Sequence, residues 1–205
     1  MTSVLIGDII NSQEGGAPRD WLRLLKNILN QCGPEPKVWE IFRGDSFQLE
    51  ILKPEEALLI ALLLKSTLMS QAQLNVRIAI GIGTKTYDAP KITEANGEAF
   101  VRAGELFEKL KKNTLALSSP WKDIDEQVNL NLELALLTID QWTQNSAEIA
   151  RLTIEHPEAT QKQLAAKLGI TQGRVSERLK RAGVDEIMKM NSRYKQLIKG
   201  KTQTV

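Results

Sequence analysis

The sequence predicts an α+β protein: a ferredoxin-like sheet domain followed by an all-α helix-turn-helix domain. Three observations carry this. Apolar runs and amphipathic stretches alternate early in the chain in the order β-α-β-β-α-β, then a loop, a helix and a strand, which is a split βαβ pattern. Residues 38–52 read as two short strands about a tight turn, the second arm alternating Phe47, Leu49, Ile51 against Gln48, Glu50. Residues 160–182 carry the spacing of a helix-turn-helix. The expected divisions are a sheet domain over 1–119, a linker helix over 120–145, and a helix-turn-helix domain with a basic C-terminal tail over 146–205.

Residues 4–10, VLIGDII, form an apolar run broken by Gly7 and Asp8, the pattern of a central strand covered on both faces. A carboxylate there is costly unless paired, protonated or metal-bound, so Asp8 is singled out. Its plainer role is to cap the loop over 11–16, whose Gly15 and Gly16 could also wrap a phosphate. Residues 18–32 make an amphipathic helix on Trp21, Leu24, Leu25, Ile28 and Leu29, ended by Gly33-Pro34. The hairpin follows. Gly44 supplies its backbone freedom, and Asp45 is expected at an exposed tip, as a turn former or as a ligand. Pro54 opens the next helix, to about Ser70, with Glu55 and Glu56 in its first turn.

Residues 76–83, VRIAIGIG, put Val76, Ile78, Ile80 and Ile82 on one face of a strand and Arg77, Ala79, Gly81 and Gly83 on the other. Small residues there admit either a helix or a ligand. A helix over 94–112 and a short strand over 114–118 complete the first domain. Residues 123–145 read as a helix with Leu130, Leu134, Leu137 and Trp142 along one side. Leu130, Leu132 and Leu134 also alternate as a strand would. Such a helix packs on the sheet or forms a dimer seam.

Charge is split. Residues 161–205 hold 11 Lys/Arg against 3 Asp/Glu, while residues 1–160 hold 16 against 22. A basic end on an acidic body suits a polyanion. In TQKQLAAKLGITQGRVSERLKRA, Gly169 makes the turn and Ile170, Val175 and Leu179 fill a small core, with residues 146–155 as the supporting helix. The second helix offers Thr171, Gln172, Gly173, Arg174, Ser176 and Glu177 toward base edges, and Arg178, Lys180 and Arg181 toward phosphates. The bland alternative is a helix pair used only for packing. Lys189, Arg193, Lys195, Lys199 and Lys201 in the tail extend the backbone contact or lie in a disordered segment. One cysteine, Cys32, excludes an internal disulfide and a Cys-based zinc site. One histidine, His156, argues against a His-centred triad. No bilayer-length apolar run and no signal-peptide pattern are read, so a cytoplasmic protein is expected.

VLIGDIINS, FRGDSFQ, VRIAIGIG and ANGEAFVRAGELFEKLKK, followed by TLALSS, resemble the palm-type catalytic domain of class III nucleotide cyclases and diguanylate cyclases over roughly residues 3–118. The resemblance implies Asp8 and Asp45 as ligands of Mg²⁺ or Mn²⁺, with Ile9 offering a backbone carbonyl. It implies Asn11, Ser12, Arg43 and Gly44 beside a nucleotide. Hard divalent ions prefer such oxygen ligands, and two of them would hold a triphosphate. Aligned on Gly97, the asparagine and arginine that steady the cyclase transition state are replaced by Val101 and Glu105. Arg102 and Lys109 are near but out of place. The whole arrangement resembles the SatD family of bacterial cytoplasmic proteins, associated with secretion and acid-tolerance operons. Three readings follow: a DNA-binding regulator, homodimeric, whose palm-like domain senses a nucleotide; a Mg²⁺-dependent enzyme acting on nucleoside triphosphates; and an adaptor that binds proteins.

Overall fold

The computed structural model describes residues 1–13 and 18–202. Gly15 and Gly16, expected to wrap a phosphate or sit in a capped loop, lie outside the described residues. Among the described residues the chain is an α+β protein of one mixed five-stranded sheet and eight helices. In order these are β1 (Thr2–Ile10), α1 (Pro18–Cys32), β2 (Trp39–Phe42), β3 (Ser46–Ile51), α2 (Ala57–Gln71), β4 (Asn75–Gly83), α3 (Glu98–Lys109), β5 (Leu115–Ser118), α4 (Lys122–Ile139), α5 (Gln144–Glu155), α6 (Gln161–Leu168), α7 (Gln172–Ala182) and α8 (Val184–Thr202). The strand order is β2-β3-β1-β4-β5. β1 pairs antiparallel with both β3 and β4, and β4 pairs parallel with β5. The first strand therefore lies beside the second arm of the hairpin.

Alternation along the strands sorts the two faces. Leu5, Ile9, Phe47, Leu49, Val76, Ile78 and Ile80 are buried on the face covered by α1 and α2. α2 is apolar all round and buried through most of its length, as a helix inside the core must be. The other face belongs to α3, whose Ala99, Phe100 and Ala103 pack on Val4. A Cβ on Gly81 would strike the Ala99 carbonyl and the Ala103 N–H. The small-residue face of β4 thus receives a helix backbone at close range, which decides between the two readings of that face.

α4 corrects the expected helix in two ways. It ends at Ile139 and a new helix, α5, starts at Gln144, capped by the Thr143 hydroxyl accepting from the Ser146 N–H. Its buried stripe is Ile124, Val128, Leu132, Leu136 and Ile139, while Leu130, Leu134 and Leu137 are 59%, 60% and 74% exposed. Both stripes have helical spacing. The one that wins runs the length of the helix without a gap. Asn129 closes the outer edge of β5: its side-chain oxygen accepts from the Leu117 N–H at 2.8 Å and its amide donates to the Leu117 carbonyl at 2.9 Å.

The apolar core runs without a break from the sheet through α4, α5, α7 and α8. α5 packs on α2. Trp142 Nε1 donates to the Ala182 carbonyl at 2.9 Å. The tail expected as an extension or a disordered segment is the helix α8, which returns to the body. There Tyr194 donates its hydroxyl to the Pro54 carbonyl at 2.6 Å, and Lys195 pairs with Glu56 at 2.6 Å. Among the described residues no helix is long and apolar enough to cross a membrane.

Candidate functional site

Pairing sets the geometry at the end of the sheet. Asp8 lies opposite Ser46 of β3 and opposite Arg77 of β4. The Ile9 N–H donates to the Asp45 carbonyl at 3.2 Å, and the Ser12 hydroxyl donates to Asp45 Oδ2 at 2.8 Å. Asp8 and Asp45 are thus carried at the same end of adjacent strands. Arg43 and Gly44 are the exposed tip, with φ of 54° and 90°. Asn11, across from them, has φ of 55°. Non-glycine residues rarely adopt this conformation, and it clusters at ligand sites. Asp45 itself is half-buried rather than exposed, because β1 takes its backbone and Ser12 takes its carboxylate.

Asp8 has a partner that motif reasoning did not assign. Arg77 Nη2 donates to its Oδ2 at 2.6 Å and Nε donates to its Oδ1 at 3.1 Å, a two-pronged pair. A third nitrogen of Arg77 donates to the Leu110 carbonyl at 3.1 Å, and the guanidinium lies 4.9 Å from the Phe107 ring centre. Hydrogen bonding to Asp8 leads; with the charges of Asp8 and Glu108 it outweighs the cost of burial and holds the Arg77 pKa above its ordinary value. A divalent ion at Asp8 would have to displace this pair. Among the described residues no group of three or more His, Cys, Asp or Glu side chains could hold a metal ion. As built, the sheet end fits an ion pair better than a two-metal cradle.

A second polar cluster joins the sheet to the helices. Lys65 of α2 is completely buried, and its ammonium donates to Asn75 Oδ1 at 2.8 Å, the Val76 carbonyl at 3.1 Å and Thr114 Oγ1 at 2.8 Å. It pairs with Asp140 at 3.0 Å, which also accepts from Asn75 and Thr114. Burial pulls the Lys65 pKa down to about 8, against the opposing charge and hydrogen bond of Asp140. Burial works to raise the Asp140 pKa, but Lys65 and the hydrogen bonds from Asn75 and Thr114 outweigh it and hold it low. This hub sits where α2, β4, β5 and α4 meet. Sequence reading missed it, because a lysine in a leucine-rich helix carries no periodic signal.

In the helical unit, Thr160 and Gln163 form a reciprocal capping box at the start of α6. Gly169 ends α6 at φ 63°, and the Thr171 hydroxyl accepts from the Arg174 N–H to start α7. Val175 is buried beneath α7, and Leu179 and Ile170 are half-buried beside it. Thr171, Gln172, Gly173, Arg174, Ser176, Glu177, Lys180 and Arg181 are exposed. Arg178 is the exception: its guanidinium donates to Glu148 of α5 at 3.1 Å, so it braces α7 on its supporting helix.

Fold and sites together define an α+β protein in which a mixed sheet and a helical unit with an exposed polar helix share one core. The chain belongs to the SatD family, whose model matches residues 3–198. No curated protein sequence matches it.

Proposed function

We propose that this chain is a DNA-binding regulatory protein of the cytoplasm, acting as a homodimer, whose sheet domain is palm-like and takes a nucleotide as its signal. The observation that carries this is the face of α7. Five polar residues, Thr171 at the cap and Gln172, Arg174, Ser176 and Glu177 on the helix, stand exposed, and the helix is held beneath by Val175 and by the Arg178–Glu148 pair. Lys180 and Arg181 follow at its C-terminal end. That is the chemistry of major-groove reading flanked by phosphate contacts. The palm-like reading draws support from the order β2-β3-β1-β4 with α1 and α2 on one face.

Gel-shift titration of the full chain on genomic fragments tests it. Affinity should fall with salt at a log–log slope of about −0.9 per phosphate contacted. Lys180→Ala should weaken binding to every sequence and reduce that slope by about one unit. Gln172→Ala should change sequence preference, since glutamine pairs with adenine. Absence of binding at low salt overturns the reading.

The second reading is a Mg²⁺-dependent enzyme acting on nucleoside triphosphates. What favours it is the shared sheet end of Asp8 and Asp45. What counts against it is Arg77 on Asp8, with Val101 and Glu105 standing where the resembling cyclases carry asparagine and arginine. A thermal-shift screen of nucleotides with Mg²⁺ or Mn²⁺ separates the readings, because a ligand bound only by the native state raises Tm. A rise that needs the metal and is lost in Asp45→Ala supports metal-held nucleotide. Turnover of ATP or GTP, lost in the same variant, would make the enzyme reading the right one.

A further inference from the structure

α4 and α8 run side by side and antiparallel. Lys201 pairs with Asp123 at 3.7 Å at one end, and Trp142 donates to the Ala182 carbonyl at the other. Between those ends lies a groove of about 610 Å³, floored by Leu134, Ala135, Ile187 and Met190. That volume is in the range of small-molecule sites, about 300–1,000 Å³. Leu134 is 60% exposed, so the floor leaves apolar area in water that a ligand would cover.

The rim is cationic. Lys180 and Arg181 at the end of α7 and Lys189 and Arg193 on α8 line it, against one carboxylate, Glu186. α4 adds only Asn131 and Thr138 as polar groups. Asp185 lines the next cleft, beyond Lys189 and Arg193, and Glu177, a turn earlier on α7, is not part of the groove. Neighbouring cations of these helices are already neutralised: Arg178 by Glu148, Lys195 by Glu56 and Lys201 by Asp123. Among the described residues none of the four rim cations has a carboxylate within ion-pair distance, Glu186 included. An apolar floor under four unpaired cations fits one kind of molecule, with a hydrocarbon body and an anionic head.

We infer that the groove between α4 and α8 is an effector site for a small amphiphilic anion. Its apolar body lies on Leu134, Ala135, Ile187 and Met190, and its head sits among Lys180, Arg181, Lys189 and Arg193. The site stands on the groove alone. Its use rests on the regulator reading, in which Lys180 and Arg181 hold DNA phosphates. An anion that engages these two side chains takes them from the duplex, so effector and DNA oppose each other. By linkage, DNA weakens the effector by the same factor.

Isothermal titration calorimetry of the full chain with decanoate, below its micelle-forming concentration, is the test. Decanoate should bind saturably, one per chain, and more weakly as salt rises. Decanol keeps the chain without the charge, and acetate keeps the charge without the chain. Each should bind at least about tenfold more weakly. Leu134→Glu and Lys189→Glu/Arg193→Glu should each weaken decanoate at least about tenfold. Their circular dichroism spectra should be unchanged, since all three side chains are exposed. Absence of saturable binding, equal binding of decanol or acetate, or full binding by either variant overturns the site. Gel shift then reads the coupling. Decanoate should weaken DNA binding by the unaltered chain and leave that of Leu134→Glu as it was. No loss, or an equal loss in both, overturns the opposition of effector and DNA. Decanoate bound by a chain that binds no DNA at low salt leaves the site standing and removes the regulator reading.

Discussion

Replacing Lys65 by methionine tests whether the buried hub holds the sheet to the helices. The change keeps the length of the side chain and removes the ammonium. Asp140 loses its 3.0 Å partner, while Asn75 and Thr114 still donate to it. Breaking a buried ion pair from one side costs about 3–5 kcal/mol. Asp140 is 23% exposed and keeps those two donors, so the lower end applies, about 3 kcal/mol. For a chain of this size that lowers Tm by about 6–12 °C. Urea unfolding should show a lower midpoint with the same m-value. Removing the stranded charge as well, in Lys65→Met/Asp140→Asn, should recover most of the loss. The pH dependence gives a second readout. With its folded pKa pulled down to about 8, Lys65 sheds its proton in the native state before it does in the unfolded chain. The unfolded chain then binds more protons, so stability rises with pH from about 8 upward. That rise should be absent in Lys65→Met. The comparison belongs at pH 8–9, because Cys32, pushed by burial to about 11, begins to subtract stability once its unfolded thiol ionises near 9. A loss below about 0.5 kcal/mol, or an equal pH slope in both proteins, refutes the argument.

Arg77→Met should cost about 1–2 kcal/mol, since the pair is two-pronged but partly exposed. If a metal competes for Asp8, the same variant should show a larger Mg²⁺-dependent Tm shift than the unaltered chain. Gly81→Ala should destabilise by about 2–3 kcal/mol, because the contact is with α3 backbone that cannot yield. Gly104→Ala, in the middle of α3 with open space around its Cβ, should instead stabilise by about 0.5–1 kcal/mol. Thermal melts of the two side by side check the direction of both. Thr160→Ala removes the α6 capping box and should cost about 1 kcal/mol, read as faster amide exchange in α6 and the turn after it.

Much of this was legible wherever local chemistry decides. The alternation of Phe47, Leu49 and Ile51 fixed the inner face of β3. Gly169 marks the turn between α6 and α7, while the caps made by Thr160 and Thr171 emerge only in the structure. The buried side of α4 was not legible, because the helix is apolar on two sides and only tertiary packing says which is covered. For that reason the stripe of Leu130, Leu134 and Leu137 reads from the sequence either as packed on the sheet or as a dimer seam. The Arg77 partner of Asp8 depends on strand register between residues 69 apart, which no motif encodes. The hub at Lys65 needs four elements brought together before its lysine means anything. The same holds for α8, whose basic residues read either as an extension of the phosphate contact or as a disordered segment, whereas Tyr194 docks the helix on Pro54.

Asn129 has a consequence that reaches beyond its two hydrogen bonds. Its carboxamide offers β5 the one donor and one acceptor that a peptide unit of another strand would offer, and Leu117 accepts the imitation. On this side the sheet is thereby finished by a counterfeit strand one residue long. Exposed edges are where sheets recruit foreign chains and grow into fibrils. Here the β5 edge is occupied at Leu117 by the chain's own side chain, carried on a helix that cannot extend the ladder. Exchanging a single NH₂ for oxygen, as in Asn129→Asp, would set a carboxylate against the Leu117 carbonyl and reopen that edge. The insolubility of such a variant would come from an unguarded border rather than from a weakened core.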